Sequence, residues 1–309
     1  MNTPSNAVPG SPHDQQAVAS AAPWPTRPLH WSVRRELWEN RSLYIAPLAV
    51  AGVVLFGFLI STIGLPHRRR ATLLLEPAQQ RAAIEKPYDM AAMMILATVF
   101  IVGVFYCLDA LHGERRDRSI LFWKSLPVSD LTTVLAKASI PLVVLPLIAF
   151  AIIVATQVDM LLLTNLVLAA NGVPATTGEQ LPFFRHSLIL AYGLATLALW
   201  HAPIYAWLLL VSGWARRATF LWAVLPFALI SALERMALGT SHFGSMLGYR
   251  LVGHFERAFV TEATGGHINS VTQLTPAKFL STPGLWVGLA IAAGLLAAAA
   301  RLRRDRGPI

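Results

Sequence analysis

Cysteine is almost missing from this chain. Cys107, in VFYCLDAL, is the single one. One thiol can form neither an intrachain disulfide nor a thiolate metal cluster, and its apolar neighbours mark it as a small core residue. Charge is scarce as well: 13% of residues are charged, where a soluble domain carries about 25%. Catalytic signatures are also lacking. No G-x-x-x-x-G-K-[ST] is present, so the chain cannot hold ATP by a P-loop of its own. There is no H-E-x-x-H, and the nine histidines are scattered, which leaves a zinc site unsupported. The run Gly239-Thr240-Ser241-His242-Phe243-Gly244 has the wrong spacing for a nucleophile elbow. No pair of carboxylates falls inside an apolar stretch. The net charge of +9 does not point to nucleic acid, because the basic residues flank apolar blocks. That placement is the mark of topology control in a membrane.

What the chain has in quantity is apolar sequence, at 55% of 309 residues and gathered into long blocks. A helix crosses a bilayer with about 20 apolar residues. Six segments meet that length, at about 43–64, 90–108, 140–158, 188–212, 219–237 and 284–300. The expected fold is therefore an all-α membrane protein of six transmembrane helices over residues 29–309. Residues 1–28, rich in Pro, Ala, Ser and Gln, lack a basic start and a long apolar core. They are expected to be a disordered cytoplasmic tail rather than a signal peptide. With both termini cytoplasmic, 15 of the 25 basic residues fall on the inside, against ten on longer outside loops. That bias favours this orientation. The cluster Arg68 to Arg70 runs against it.

Two flanking segments are amphipathic. Trp31, Val33, Leu37 and Trp38 can share one helical side, with Arg34, Arg35 and Glu39 on others. This predicts an interfacial helix over about 30–40. In the last outside loop, Phe243, Leu247, Leu251, Phe255 and Phe259 recur every four residues. This predicts an outer amphipathic helix, or one that re-enters the bundle. Asp159, His201, Glu234 and Arg235 lie in or near spans. His201 is the deepest: it lines a pathway, or it bonds a carbonyl freed by Pro203. Glu234 and Arg235 can reach the interface by snorkelling. Pro141, Pro146 and Pro226 predict bends. Gly284, Gly288 and Ala292 form a small-residue ridge suited to close helix contact.

Between the second and third spans lies DALHGERRDRSILFWKSLPVSDLTTVLAKA, residues 109–138. Glu114 and Arg118 are four apart, a helix-supporting pair. Pro127 disfavours helix at Leu126, and Asp130 can cap the helix that feeds span three. The segment reads as a short helix, a sharp turn and a second helix, and it exposes an apolar, aromatic patch beside a dense set of charges. Such a patch packs on its own bundle or docks into a groove on a soluble partner.

The run ERRDRSILFWKSLPVS resembles the cytoplasmic loop of type 2 ATP-binding-cassette (ABC) transporter permeases. In that family an acidic residue, polar positions and an apolar run lead to S-x-P-[VL]-S. Glu114, Ser125, Pro127, Val128 and Ser129 match, while Arg118-Ser119 replace the family's usual Gly-Thr. The order of spans and flanking helices agrees along nearly the whole chain. The resemblance implies a permease subunit of a bacterial inner-membrane exporter, without ATPase motifs and so not itself an enzyme. It implies two partners, a separate ABC ATPase subunit carrying ATP and Mg²⁺ and a second permease copy, with no cofactor on this chain. It assigns ATPase contact to a coupling helix: Glu114, Arg115, Arg116, Asp117, Arg118, Ser119, Ile120, Leu121, Phe122, Trp123, Lys124, Ser125, Leu126 and Pro127. Two other readings stay open. One is an intramembrane enzyme using His201. The other is a non-transporting anchor, sensor or immunity partner of an ATPase.

Overall fold

The computed structural model describes residues 27–125, 128–173, 183–260 and 270–307. The expected tail therefore falls almost wholly outside the described residues, as do Leu126 and Pro127. The described chain is helical, with an isolated antiparallel bridge between Phe259 and Leu274. Among the described residues six helical stretches are long and apolar enough to cross a membrane, and the chain is a multi-pass membrane protein.

Helix α1 covers Arg27–Glu39 and α2 covers Ser42–Ser61. A 3₁₀ turn at Thr62–Gly64 carries α2 into α3, Leu65–Thr72. Helix α4, Pro77–Asp109, is 33 residues long. At 1.5 Å per residue that is roughly 50 Å, so its first turns extend beyond a hydrocarbon layer of about 30 Å. Pro77, in the first turn of α4, costs no hydrogen bond there. Two five-residue helices follow, α5 at His112–Arg116 and α6 at Ile120–Lys124. Helix α7, Asp130–Ser139, passes through a π turn at Ile140–Val144 into α8, Leu145–Ala170. Pro141 sits in that wide turn, because its missing N–H interrupts the α ladder. Helix α9 is Phe183–Trp214 and α10 is Thr219–Leu238. Helices α11 (His242–Val252), α12 (His254–Ala258) and α13 (Pro276–Leu280) precede the last, α14, Pro283–Asp305.

Helix α9 is the axis of the bundle. Its most apolar stretch is 61% buried, against 6% for α10. Leu43, Ile95, Cys107, Leu145, Ile153 and Leu209 join α2, α4, α8 and α9 in the main core. Small residues bring α14 against α9: Ala292 packs on Ala202 and Ala206. With lipid as solvent, close van der Waals contact of this kind holds helices together. The expected ridge thus faces the same chain, but Gly284 is exposed and does not join it. Helix α10 is peripheral. Ala223 is its buried residue, and Trp207 Nε1 donates to the Ala223 carbonyl at 3.1 Å.

The stripe expected over 243–259 is broken. Helix α11 stops at Gly253, where a Cβ would stand 2.5 Å from the Tyr249 carbonyl oxygen. Only glycine fits, so the chain restarts as α12 and buries Phe259 beside Trp200 and Phe279. Glu234 does not merely reach toward water. Its carboxylate accepts from Thr240 Oγ1 at 2.8 Å and from the N–H groups of His242 and Phe243 at 2.6 and 2.8 Å. It thereby caps α11 and fixes how α11 leaves α10.

Candidate partner-docking site

The two short helices sit on the end of the bundle where α1 and the last turns of α14 also lie. The backbone N–H groups of Leu111 and His112 donate to Ser212 Oγ at 3.0 and 2.9 Å. Arg115 Nη1 donates to the Gly213 carbonyl at 2.8 Å. The final carbonyls of α9 have no partner within their own helix, and a cation there meets both the orphan acceptors and the helix dipole. Arg306 Nη1 does the same at the Trp214 carbonyl, at 2.8 Å. These contacts bolt α5 to the end of α9.

Glu114 is the hub. Its Oε1 pairs with Lys137 Nζ at 3.1 Å and Arg35 Nη2 at 3.2 Å, and its Oε2 with Arg303 Nη2 at 3.1 Å. Lys137 also reaches Glu36 Oε1 at 2.9 Å, Arg35 reaches the same oxygen at 2.8 Å, and Arg303 pairs with Asp130. Tyr106 donates its hydroxyl to Glu36 Oε2 at 2.8 Å. Glu36, Glu114, Lys137 and Arg303 are all buried. Apart from the exposed Glu39, 3.5 Å from Arg35 Nε, three acids and three bases balance, which is what makes burying such charges tolerable. Burial alone would raise the Glu36 carboxyl. The charge and hydrogen bond of Lys137, Arg35 and the Tyr106 hydroxyl outweigh burial and hold it below the ordinary carboxylate value. The network ties α1, α4, α5, α7 and α14 to one another.

The structure divides the predicted coupling residues into an anchor and a face. Glu114, Arg115 and Ile120 are buried. Trp123 is half-buried under the Arg35 guanidinium, 3.7 Å from the ring centroid, a cation–π contact. Lys124 Nζ donates to the carbonyls of Arg304 and Arg306 at 3.1 and 3.2 Å. Ser119 donates to the Glu114 carbonyl at 3.4 Å. Leu121 and Phe122, by contrast, are 59% and 60% exposed, and Phe122 meets Trp123 edge-on at 4.9 Å. Arg116, Asp117, Arg118, Lys124 and Ser125 surround them, also exposed.

Two local expectations are corrected. Glu114 does not pair with Arg118, whose φ of 58° ends α5 in the left-handed region while Glu114 turns inward to Arg35, Lys137 and Arg303. The cap of α7 is Ser129, which accepts from the Thr132 N–H at 3.1 Å, so Asp130 is free to hold Arg303. Sequence reasoning missed Glu36, Tyr106, Lys137 and Arg303. One signal was available: Lys137, in VLAKASIPL, stands among apolar residues at the entry to a span, where a lone charge needs a partner.

The four apolar residues of α1 do not share one side as expected. Val33 and Leu37 pack on the core, while Trp31 and Trp38 are exposed around Arg34, whose guanidinium lies 5.4 and 5.0 Å from their rings.

At the other end of the bundle, His201 is buried and its Nε2 lies 2.9 Å from the Leu251 carbonyl oxygen. It does bond a carbonyl, but of α11 rather than one freed by Pro203. Phe100, Tyr205 and His254 ring it at 5.6, 6.4 and 5.8 Å between centroids. Burial, with His201 beside it, holds His254 at about 4, so this ring is neutral at pH 7. Asp159 is exposed. Among the described residues no group of three or more His, Cys, Asp or Glu side chains is placed to hold a metal.

No family model, curated protein or solved structure matches this chain.

Proposed function

We propose that the chain is the membrane-spanning permease subunit of an ATP-driven exporter of the type 2 ABC class, in a bacterial inner membrane. The observation that carries this reading is the rigid knob at Leu121 and Phe122. Two apolar side chains stand exposed beyond the end of a membrane bundle, on a helix whose other residues are pinned by Ile120, by the Arg35–Trp123 stack and by the Glu114 network. An exposed apolar patch held this firmly suits a docking surface, since little ordering entropy remains to be lost on binding. On this reading the charged end is cytoplasmic, as are both termini. The partner is a soluble ATPase that carries ATP and Mg²⁺. Its nucleotide-driven closure moves the knob, and the ionic network passes that movement to α1, α7 and α14 as a shift between two arrangements of the bundle. Helices α11, α12 and α13 lie on the outer side and pack back against the bundle beside His201 and Trp200. The exposed flank of α10, with Phe220, Leu225 and Leu229 uncovered, takes the second permease copy.

The test is substitution of Leu121 and Phe122 together by Asp, followed by co-purification with the ATPase subunit and by ATP hydrolysis in vesicles. Trp123 is left in place, because its loss would also release Arg35. The expected result is a membrane-inserted chain that no longer binds or stimulates the ATPase. Normal assembly and stimulated hydrolysis in the double variant refute the docking assignment. Normal ATPase binding with no cargo moved, across several cargo classes, favours a non-transporting anchor or sensor.

A further inference from the structure

A second concave surface lies on the flank of the bundle, within the membrane-spanning helices. It is an open groove of about 770 Å³, walled by Trp207, Leu210 and Trp214 of α9 and by Gly294, Ala298 and Arg301 of α14. Its form follows from the sequence of α14. Positions 294, 297 and 298 carry Gly, Ala and Ala, three to four residues apart on one side of the helix. A Cβ at Gly294 would have nothing within 4 Å, so the floor is open there. Two tryptophans seven residues apart stand along the facing wall. Trp207 Nε1 is already engaged by the Ala223 carbonyl at 3.1 Å, so that indole N–H is not left unpaired. Seven or eight residues of helix make the groove roughly 10–12 Å long, the length of part of one acyl chain.

The groove ends in positive charge. Arg301 lies one turn beyond Ala298 and makes no hydrogen bond or ion pair with any described residue. Arg306 is held at the Trp214 carbonyl, 2.8 Å away, and Arg306 and Arg216 stand near enough to bear on Arg115. Among the described residues no carboxylate lines the groove. Apolar walls on membrane-spanning helices, tryptophan beside them and a guanidinium without a described partner at one end match the parts of an anionic phospholipid in order.

We propose that this groove binds an acyl chain of an anionic phospholipid, with its phosphate held at Arg301 in the leaflet at the charged end. A second copy of the chain is the less suitable occupant. A two-fold contact places the same surface on both sides, which would bring Arg301 and its cationic neighbours against their own image. The inference depends on the chain spanning a membrane and not on its being a transporter.

The test uses the full-length chain in mild detergent, offered equimolar phosphatidylglycerol and phosphatidylcholine of identical acyl chains, with bound lipid read by native mass spectrometry. Retention of phosphatidylglycerol is expected to exceed that of phosphatidylcholine about fivefold, the effect of one basic residue at an anionic surface. Ala298→Phe, which fills the groove, and Arg301→Gln, which removes the anchor, should each abolish the preference. Arg235→Gln, at the opposite end of the bundle, should keep it. Should Ala298→Phe fail to yield folded protein, Arg301→Gln at its exposed position decides. Equal retention of the two lipids, or an undiminished preference in Arg301→Gln, overturns the proposal. Efficient disulfide crosslinking of Ala298→Cys between two copies in native membranes overturns it in favour of a protein contact.

Discussion

Replacing Glu114 by Gln removes the negative charge from the centre of the ionic network while keeping the side chain's size. Three cations then lose a partner: Lys137 at 3.1 Å, Arg35 at 3.2 Å and Arg303 at 3.1 Å. Removing one member of a buried pair costs about 3–5 kcal/mol, because a charge is left uncompensated. Here the loss should sit near the lower bound. Lys137 keeps Glu36, Arg303 keeps Asp130, and the amide oxygen of Gln still accepts a hydrogen bond. A loss of about 3 kcal/mol corresponds to roughly 6–12 °C in melting temperature, at about 2–4 °C per kcal/mol for a large domain. The assay is a thermal shift of the detergent-purified chain at one scan rate. The double variant Glu114→Gln, Lys137→Met restores charge balance and should recover part of the loss, with a coupling of about 1–3 kcal/mol. A fall of under about 2 °C in the single variant, or strict additivity in the cycle, would refute the view that Glu114 neutralises these cations.

Acid should weaken the same network. Glu36 titrates lower in the folded chain than its ordinary 4.5, so its contribution is complete above that value and fades as pH falls through the lower folded one. The wild type should therefore lose more stability than Glu36→Gln as pH is taken below 4.5, and parallel melting curves would contradict this. Gly253→Ala should destabilise the chain by about 1–3 kcal/mol, since its Cβ would stand 2.5 Å from the Tyr249 carbonyl oxygen; an unchanged melting temperature would show that the α11–α12 corner yields easily. Glu234→Ala should lower the melting temperature through the lost cap and raise proteolysis after Leu238, whereas Glu234→Gln should retain part of the protection.

Span number and order were legible because lipid imposes a length on apolar sequence that few other contexts demand. Span ends were less so. Helix α4 begins at Pro77, well before the expected 90, because the polar turns ahead of Met90 continue the helix without being apolar. The break in α8's approach at Pro141 was also legible, from the missing N–H. The charged end was not. Local spacing suggested Glu114 with Arg118, yet Glu114 takes Arg303, which lies 189 residues away. Pairings set by chain packing leave no periodic trace, and a strong local pattern misled where a buried alternative was available. Glu234 shows the same thing on a smaller scale: besides the Thr240 hydroxyl, it takes backbone N–H groups eight and nine residues on, which composition does not reveal. Leu121 and Phe122 could be named from sequence as part of a patch. Only the packing of Ile120 and Trp123 separates the exposed pair from the anchored one.

The most direct measurement of the central claim is site-specific photocrosslinking from Phe122 in the intact membrane assembly. A photoreactive phenylalanine at 122 should form an adduct with a separate nucleotide-hydrolysing subunit, in a yield that changes when ATP is added, while the same group at Trp31 should not. Labelling of lipid or of this chain alone, under conditions where the assembly is active, would contradict the account.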